Sequence, residues 1–161
     1  MNTLIEIDGT SYETKFNYRF YQRVVDNYST KEQDGFTRLF GELVDANPDA
    51  LVNGYRYAID AKTLPSTEVV AEALADSGIY DAEDPFADMF KQIKTNGFLA
   101  LKLKGLMNIE KSGLKRAQEM LSIIKKNKDA TEEDIKGAQN QLQMVELQYK
   151  SLEKRLKDLN K

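Results

Sequence analysis

The sequence predicts an α+β fold that is mainly α: a short N-terminal β-hairpin, a bundle of about five helices, and a C-terminal helical hairpin with coiled-coil character. Three observations carry this. Apolar residues alternate with a period of two only across residues 3–16, around the turn signal Asp8-Gly9. From Phe20 onward they recur at steps of three and four. From Ile135 they hold a strict heptad as far as Leu159.

Ile5 and Ile7 share a face of the first strand, and Tyr12, Thr14 and Phe16 share a face of the second. Gly9 supplies the positive φ that a tight turn between them needs. Phe20, Val24 and Tyr28, flanked by Tyr21 and Val25, mark the first helix, with Asn17 as its N-cap. The polar stretch 29–34 ends it, and Phe36, Leu39, Phe40, Leu43 and Val44 mark the second. Asn47-Pro48 then starts a third, carrying Leu51, Val52, Tyr55, Ala58 and Ile59, because proline suits a first helical turn and no later one. Pro65-Ser66-Thr67-Glu68 launches the fourth through Val69, Val70, Ala73 and Leu74, and Ser77-Gly78 stops it. Pro85 opens the fifth, with Phe86, Met89, Phe90 and Ile93 on one face, and Asn96-Gly97 breaks it. The segment "FLALKLKGLM" alternates leucine with lysine as a strand does, but its helical neighbours favour a helix. Phe16, Phe20, Tyr21, Phe36, Phe40, Tyr55 and Tyr57 all fall at core-compatible positions, whereas Tyr18 lies off the stripe of its helix and is expected at the surface.

Composition narrows the chemistry. The 161 residues include no His and no Cys. The commonest general base, the commonest transition-metal ligand and the thiol nucleophile are therefore missing. No glycine cluster follows a strand to cradle phosphate, and no Ser-x-x-Lys opens a helix. Asp81, Glu83 and Asp84 could gather round a divalent cation, but negative charge before a proline-started helix more simply complements the helix dipole. The reading is a protein that is not an enzyme and uses neither cofactor nor metal. Residues 110–161 hold 12 Lys and Arg against 9 Asp and Glu, net +3, which leaves −6 of the total −3 to residues 1–109. An acidic body argues against nucleic acid as its partner. The longest apolar runs are a few residues and no charged-then-apolar leader opens the chain, so neither a membrane nor export is expected.

Residues 1–110 are expected to form the hairpin-plus-helices domain, and residues 111–161 a helical hairpin. Leu114, Ala117, Leu121 and Ile124 mark its first helix; Ile135, Leu142, Tyr149 and Leu156 in one register and Ala138, Val145, Leu152 and Leu159 in the other mark its second. Thr131 and Asp134 resemble a capping box at the start of the second helix. Read with a break at Ser112-Gly113, the second helix is nearly twice as long as the first. About two heptads of seam, roughly 20 Å, then lack a partner within the hairpin. Tyr149, Leu152, Leu156 and Leu159, together with Tyr18, are the candidate partner-binding residues, and self-association through the seam is one way of covering it.

"YETKF" runs into the helix "NYRFYQRVVDNY", a later helix reads "YRYAI", and "LPSTEVVAEAL" is a proline-serine helix start. In these, across about residues 3–107, the chain resembles the tail assembly chaperones of long-tailed bacteriophages of Gram-positive bacteria. The resemblance implies a non-virion protein of the infected host's cytoplasm that binds the tape measure protein, keeps it soluble and helps recruit tail tube subunits. Two other readings stand beside it: a structural coiled-coil component of a phage or cellular assembly, and a small adaptor for a host protein.

Overall fold

The structure, a computed structural model, describes residues 3–159. Strands β1 (Leu4–Ile7) and β2 (Thr10–Glu13) pair antiparallel, with Ile5 opposite Tyr12 and Ile7 opposite Thr10. Asp8 and Gly9 take φ of 50° and 73°, the two consecutive left-handed positions that bend a tight hairpin in step with strand twist. Seven α-helices follow: α1 (Tyr18–Tyr28), α2 (Gly35–Val44), α3 (Pro48–Ala58), α4 (Thr67–Asp76), α5 (Pro85–Thr95), α6 (Gly97–Lys126) and α7 (Glu132–Leu159). A short 3₁₀ turn, Ile79–Asp81, separates α4 from α5. The architecture is mainly α with one small antiparallel ribbon, as the sequence predicts.

Side-chain caps set where the helices begin. Asn17 accepts from the Phe20 amide, Asp34 from those of Phe36 and Thr37, Asn47 from Asp49, Ser66 from Val69, and Asp84 from Ala87. Each satisfies a donor that the first turn of a helix leaves without an intrahelical partner. Asn96 works twice over: it ends α5, and its side chain accepts from the amides of Phe98 and Leu99 to open α6.

The described chain forms two compact units, dividing inside α6. The first takes residues 3–103 together with Asp158 and Leu159. Its core is built from the inner faces of every element: Ile5 from the ribbon, Phe20 and Val24 from α1, Leu39 and Leu43 from α2, Leu51 and Tyr55 from α3, Val70 and Leu74 from α4, Met89 and Ile93 from α5. Helices α1 and α2 approach so closely that a Cβ on Gly35 would lie 2.1 Å from the Val24 carbonyl oxygen. Only glycine allows backbone to meet backbone at that separation.

The ribbon is bonded to the exit of α3. The Lys15 amide donates to the Ala58 carbonyl (2.7 Å) and the Asp60 amide to the Glu13 carbonyl (2.9 Å), so residues 58–60 continue the sheet for one bridge beyond β2. Thr14 lies at the centre of this bridge, fully buried, its hydroxyl and its amide both donating to the Thr3 carbonyl at 2.9 Å. From α1, the Arg23 guanidinium donates to the carbonyls of Tyr57 (3.2 Å), Ile59 (2.7 Å) and Ala61 (2.6 Å).

The second unit, Lys104–Lys157, is a helical hairpin made from the later part of α6, the loop 127–131 and α7. Thr131 and Asp134 form the reciprocal capping box: the Asp134 amide donates to the Thr131 hydroxyl (3.1 Å) and the Thr131 amide to the Asp134 carboxylate (2.9 Å). One expectation fails here. No break occurs at Ser112-Gly113; α6 has 30 residues against 28 in α7, so the length mismatch and its two unpartnered heptads do not exist. A mid-helix glycine costs only about 1 kcal/mol relative to alanine, and the good helix formers on either side of Gly113 carry the helix through it.

Gly35→Ala should lower unfolding free energy by about 1–3 kcal/mol, because backbone cannot move aside for a methyl group. Gly41→Ala, in the same helix with no atom near its would-be Cβ, should instead stabilise by up to about 1 kcal/mol. Urea unfolding of the two variants checks both signs.

Candidate functional site

Tyr18 occupies the first turn of α1 with 54% of its surface exposed. It does not stand alone. Its ring lies 5.9 Å from Tyr21 and meets Phe98 edge-on at 5.0 Å; Tyr21 in turn meets Phe98 at 5.1 Å and Phe36 at 5.5 Å, also edge-on. Edge-to-face pairs at these separations are favourable because the electropositive rim of one ring meets the π face of the next. The result is a ladder of four rings running from exposed Tyr18 to buried Phe36. Leu101, one turn beyond Phe98, is also exposed. Lys102 places its ammonium 4.9 Å from the centre of the Tyr21 ring, and its hydrogen bond with the Tyr21 side chain raises its pKa. Tyr18, Phe98 and Leu101 thus form an apolar ridge with a cation beside it, all within the first unit.

The sequence reading identified Tyr18 and overlooked Phe98 and Leu101. The usable signal was the phase of "FLALKLKGLM" once taken as helix. Leu99 and Leu103 share one face at i, i+4 and are buried, which turns Phe98 and Leu101, at i, i+3, outward.

The seam candidates behave differently. Tyr149 and Leu152 are half-buried, and Leu156 and Leu159 are buried. They share the heptad face of α7 with Ile135, Ala138, Leu142 and Val145, all half-buried, while α6 half-buries Leu114, Ala117, Leu121 and Ile124 at matching spacing. Tyr18 belongs to the first unit; Tyr149, Leu152 and Leu156 belong to the second.

A cavity of about 460 Å³ in the first unit is lined by Thr3, Tyr55, Ile79, Pro85, Asp88 and Gln92, among others. Its polar groups pair with one another: Gln92 Nε2 donates to the Tyr55 hydroxyl (3.3 Å) and the Thr3 hydroxyl donates to Gln92 Oε1 (3.2 Å). Burial raises the Tyr55 pKa, so the phenol stays neutral. Of the acidic group before α5, Asp84 is taken up in capping Ala87 at 2.9 Å. Among the described residues no helix is long and apolar enough to cross a membrane.

A family model described as "Phage tail assembly chaperone protein, TAC" matches residues 4–108. No curated protein and no solved structure matches the chain.

The exposed and buried ends of the ring ladder should respond to mutation to different extents. Leu101→Asp should change unfolding free energy by no more than about 0.5 kcal/mol and Tyr18→Asp should cost about 1–2 kcal/mol for its two ring contacts, whereas Phe36→Ala should cost about 3–5 kcal/mol. Equilibrium denaturation of the purified variants distinguishes a surface ridge from a core.

Proposed function

This chain belongs to the phage tail assembly chaperone family, and we propose that it binds the tape measure protein along the Tyr18–Phe98–Leu101 ridge, keeps it soluble and helps gather tail tube subunits around it. The family is a non-catalytic kind of protein and its partners are tail proteins, so contact surfaces have to carry the function. A long helical client presents apolar side chains at i, i+3 and i+4, and a helical body receives them on an apolar ridge or groove. The observation that carries the reading is the ring ladder. Its outer rings, Tyr18 and Phe98, are exposed yet already held by contact with each other and with Tyr21, so a client can bury them without much further loss of side-chain freedom. Acting on an unfinished tail, the protein works in the infected host's cytoplasm and is left out of the finished virion. The seam positions Tyr149, Leu152, Leu156 and Leu159 are packing positions in this reading, since none of them is exposed.

Co-expression with the tape measure protein of the same genome tests it. The wild-type chain should keep that protein in the soluble fraction and co-purify with it, and the Tyr18→Asp, Leu101→Asp variant should lose most of both effects while remaining folded. A client that aggregates equally with and without the wild-type chain would sink the chaperone reading. Full rescue by the ridge variant would move the client surface elsewhere.

A further inference from the structure

The second unit has no core of its own. Between residues 104 and 155 no side chain is buried; the seam positions are half-buried and most of the others are exposed. Two helices closed by a short loop shield only one stripe of each, which is too little to stabilise about fifty residues unaided.

The exposed residues are not evenly spread. With Leu114, Leu121, Ile135, Leu142 and Tyr149 as a positions, Ile109, Ile123 and Met144 occupy c positions and Met120 a g position. In an antiparallel helix pair the g positions of both helices line one flank, the neighbouring c positions extend it, and the e and b positions line the other flank. The g/c flank therefore carries Ile109, Met120, Ile123 and Met144, all 57–68% exposed. Gly113 and Gly137 lie on the same flank, with nothing within 4 Å of a would-be Cβ, leaving room for another backbone to approach. The e/b flank is lysine-rich instead: Lys111, Lys115, Lys125, Lys136 and Lys150.

We propose that this flank is a dimer interface, and that its occupant is the same flank of a second copy of this chain, the two hairpins closing into a four-helix bundle. The surface area suits this. Four side chains at that exposure offer on the order of 400 Å² of apolar surface, within the range of the largest patch a monomer leaves bare. Two such faces, with the glycines and polar groups beside them, bring the buried area to about 1,000 Å², the threshold for a specific interface. The pattern suits it too, because the second hairpin brings apolar side chains at the same heptad spacing, which completes the half-buried seam of the first. With the two-fold axis parallel to the helices, α6 of one copy lies over α7 of the other. Arg116, the charge at the centre of the flank, then stands over Gln141 and Met144 rather than over the second Arg116. The contact is isologous and closed, so it consumes both faces and does not propagate into a fibre. The family match ends at residue 108, and this inference does not depend on which client the body binds.

Light scattering on the full chain after gel filtration tests it. The wild-type chain should have about twice the 18.4 kDa mass of one copy. Met120→Glu with Met144→Glu, both exposed within a single copy, should return the monomer mass, with a helical circular dichroism signal that falls only by the fraying of the unsupported hairpin while the first unit stays folded. Lys115→Glu with Lys150→Glu, on the opposite flank, should leave the dimer intact. A wild-type chain that is monomeric across the micromolar range overturns the proposal. So does a Met120→Glu, Met144→Glu variant that stays dimeric.

Discussion

The body depends on the junction where the ribbon meets the end of α3. Helix ends expose carbonyls that have no intrahelical partner, and Arg23 of α1 donates to those of Tyr57 and Ile59 and to that of Ala61 just beyond. Hydrogen bonds to a charged donor contribute about 1.5–3 kcal/mol each in favourable cases, and here one guanidinium fixes α1 to the exit of α3 at three points. The bridge between residues 13–15 and 58–60 closes the same corner from the other side. Phe16, carried on the chain between ribbon and helix, then has its place decided: its ring meets Phe20 at 5.0 Å and Tyr55 at 6.0 Å.

The ribbon's role follows from this. A two-stranded hairpin is marginal alone, and where the chain leaves β2 it is bonded to residues 58–60 of its own. The ribbon works as a clamp. With α1 held by Arg23 at its middle and by the Asn17 cap at its start, the first-turn ring of Tyr18 is presented from a rigid base, and the ladder through Tyr21 and Phe36 is set by the same helix lying against α2 at Gly35. The exposed ridge is a consequence of the buried junction.

Much of this was legible in the sequence because it is written in local chemistry. Asp8-Gly9, the cap Asn17, and the helix starts at Asn47-Pro48, Pro65-Ser66 and Pro85 each act over a few residues, and each gave the element it promised. The stripes through Phe20, Leu39 and Phe90 were buried as their spacing required. What failed was the inference from Gly113 to a helix break. A glycine lowers helix stability by a fixed small amount, but whether the helix stops is decided by what its other side chains bury, and Leu114, Ala117 and Leu121 continue the half-buried stripe beyond it. The ridge was only partly visible for a related reason. Phe98 and Leu101 carry no polar signal of exposure, and only the burial of Leu99 and Leu103 assigns them to the outside.

The two units present apolar surface for opposite physical reasons. The first buries more than twenty apolar side chains, enough that its fold does not need Tyr18, Phe98 or Leu101; covering them adds nothing to its integrity, and a surface of that sort can bind and release. The second buries almost nothing, so its bare flank is a deficit in its own folding, and whatever covers that flank is coupled to the hairpin's stability by mass action. A partner there is expected to stay. An assembly factor must release its client when the tail is complete but has no reason to release its own twin, so on the proposed readings reversible contact falls to the body and lasting contact to the hairpin.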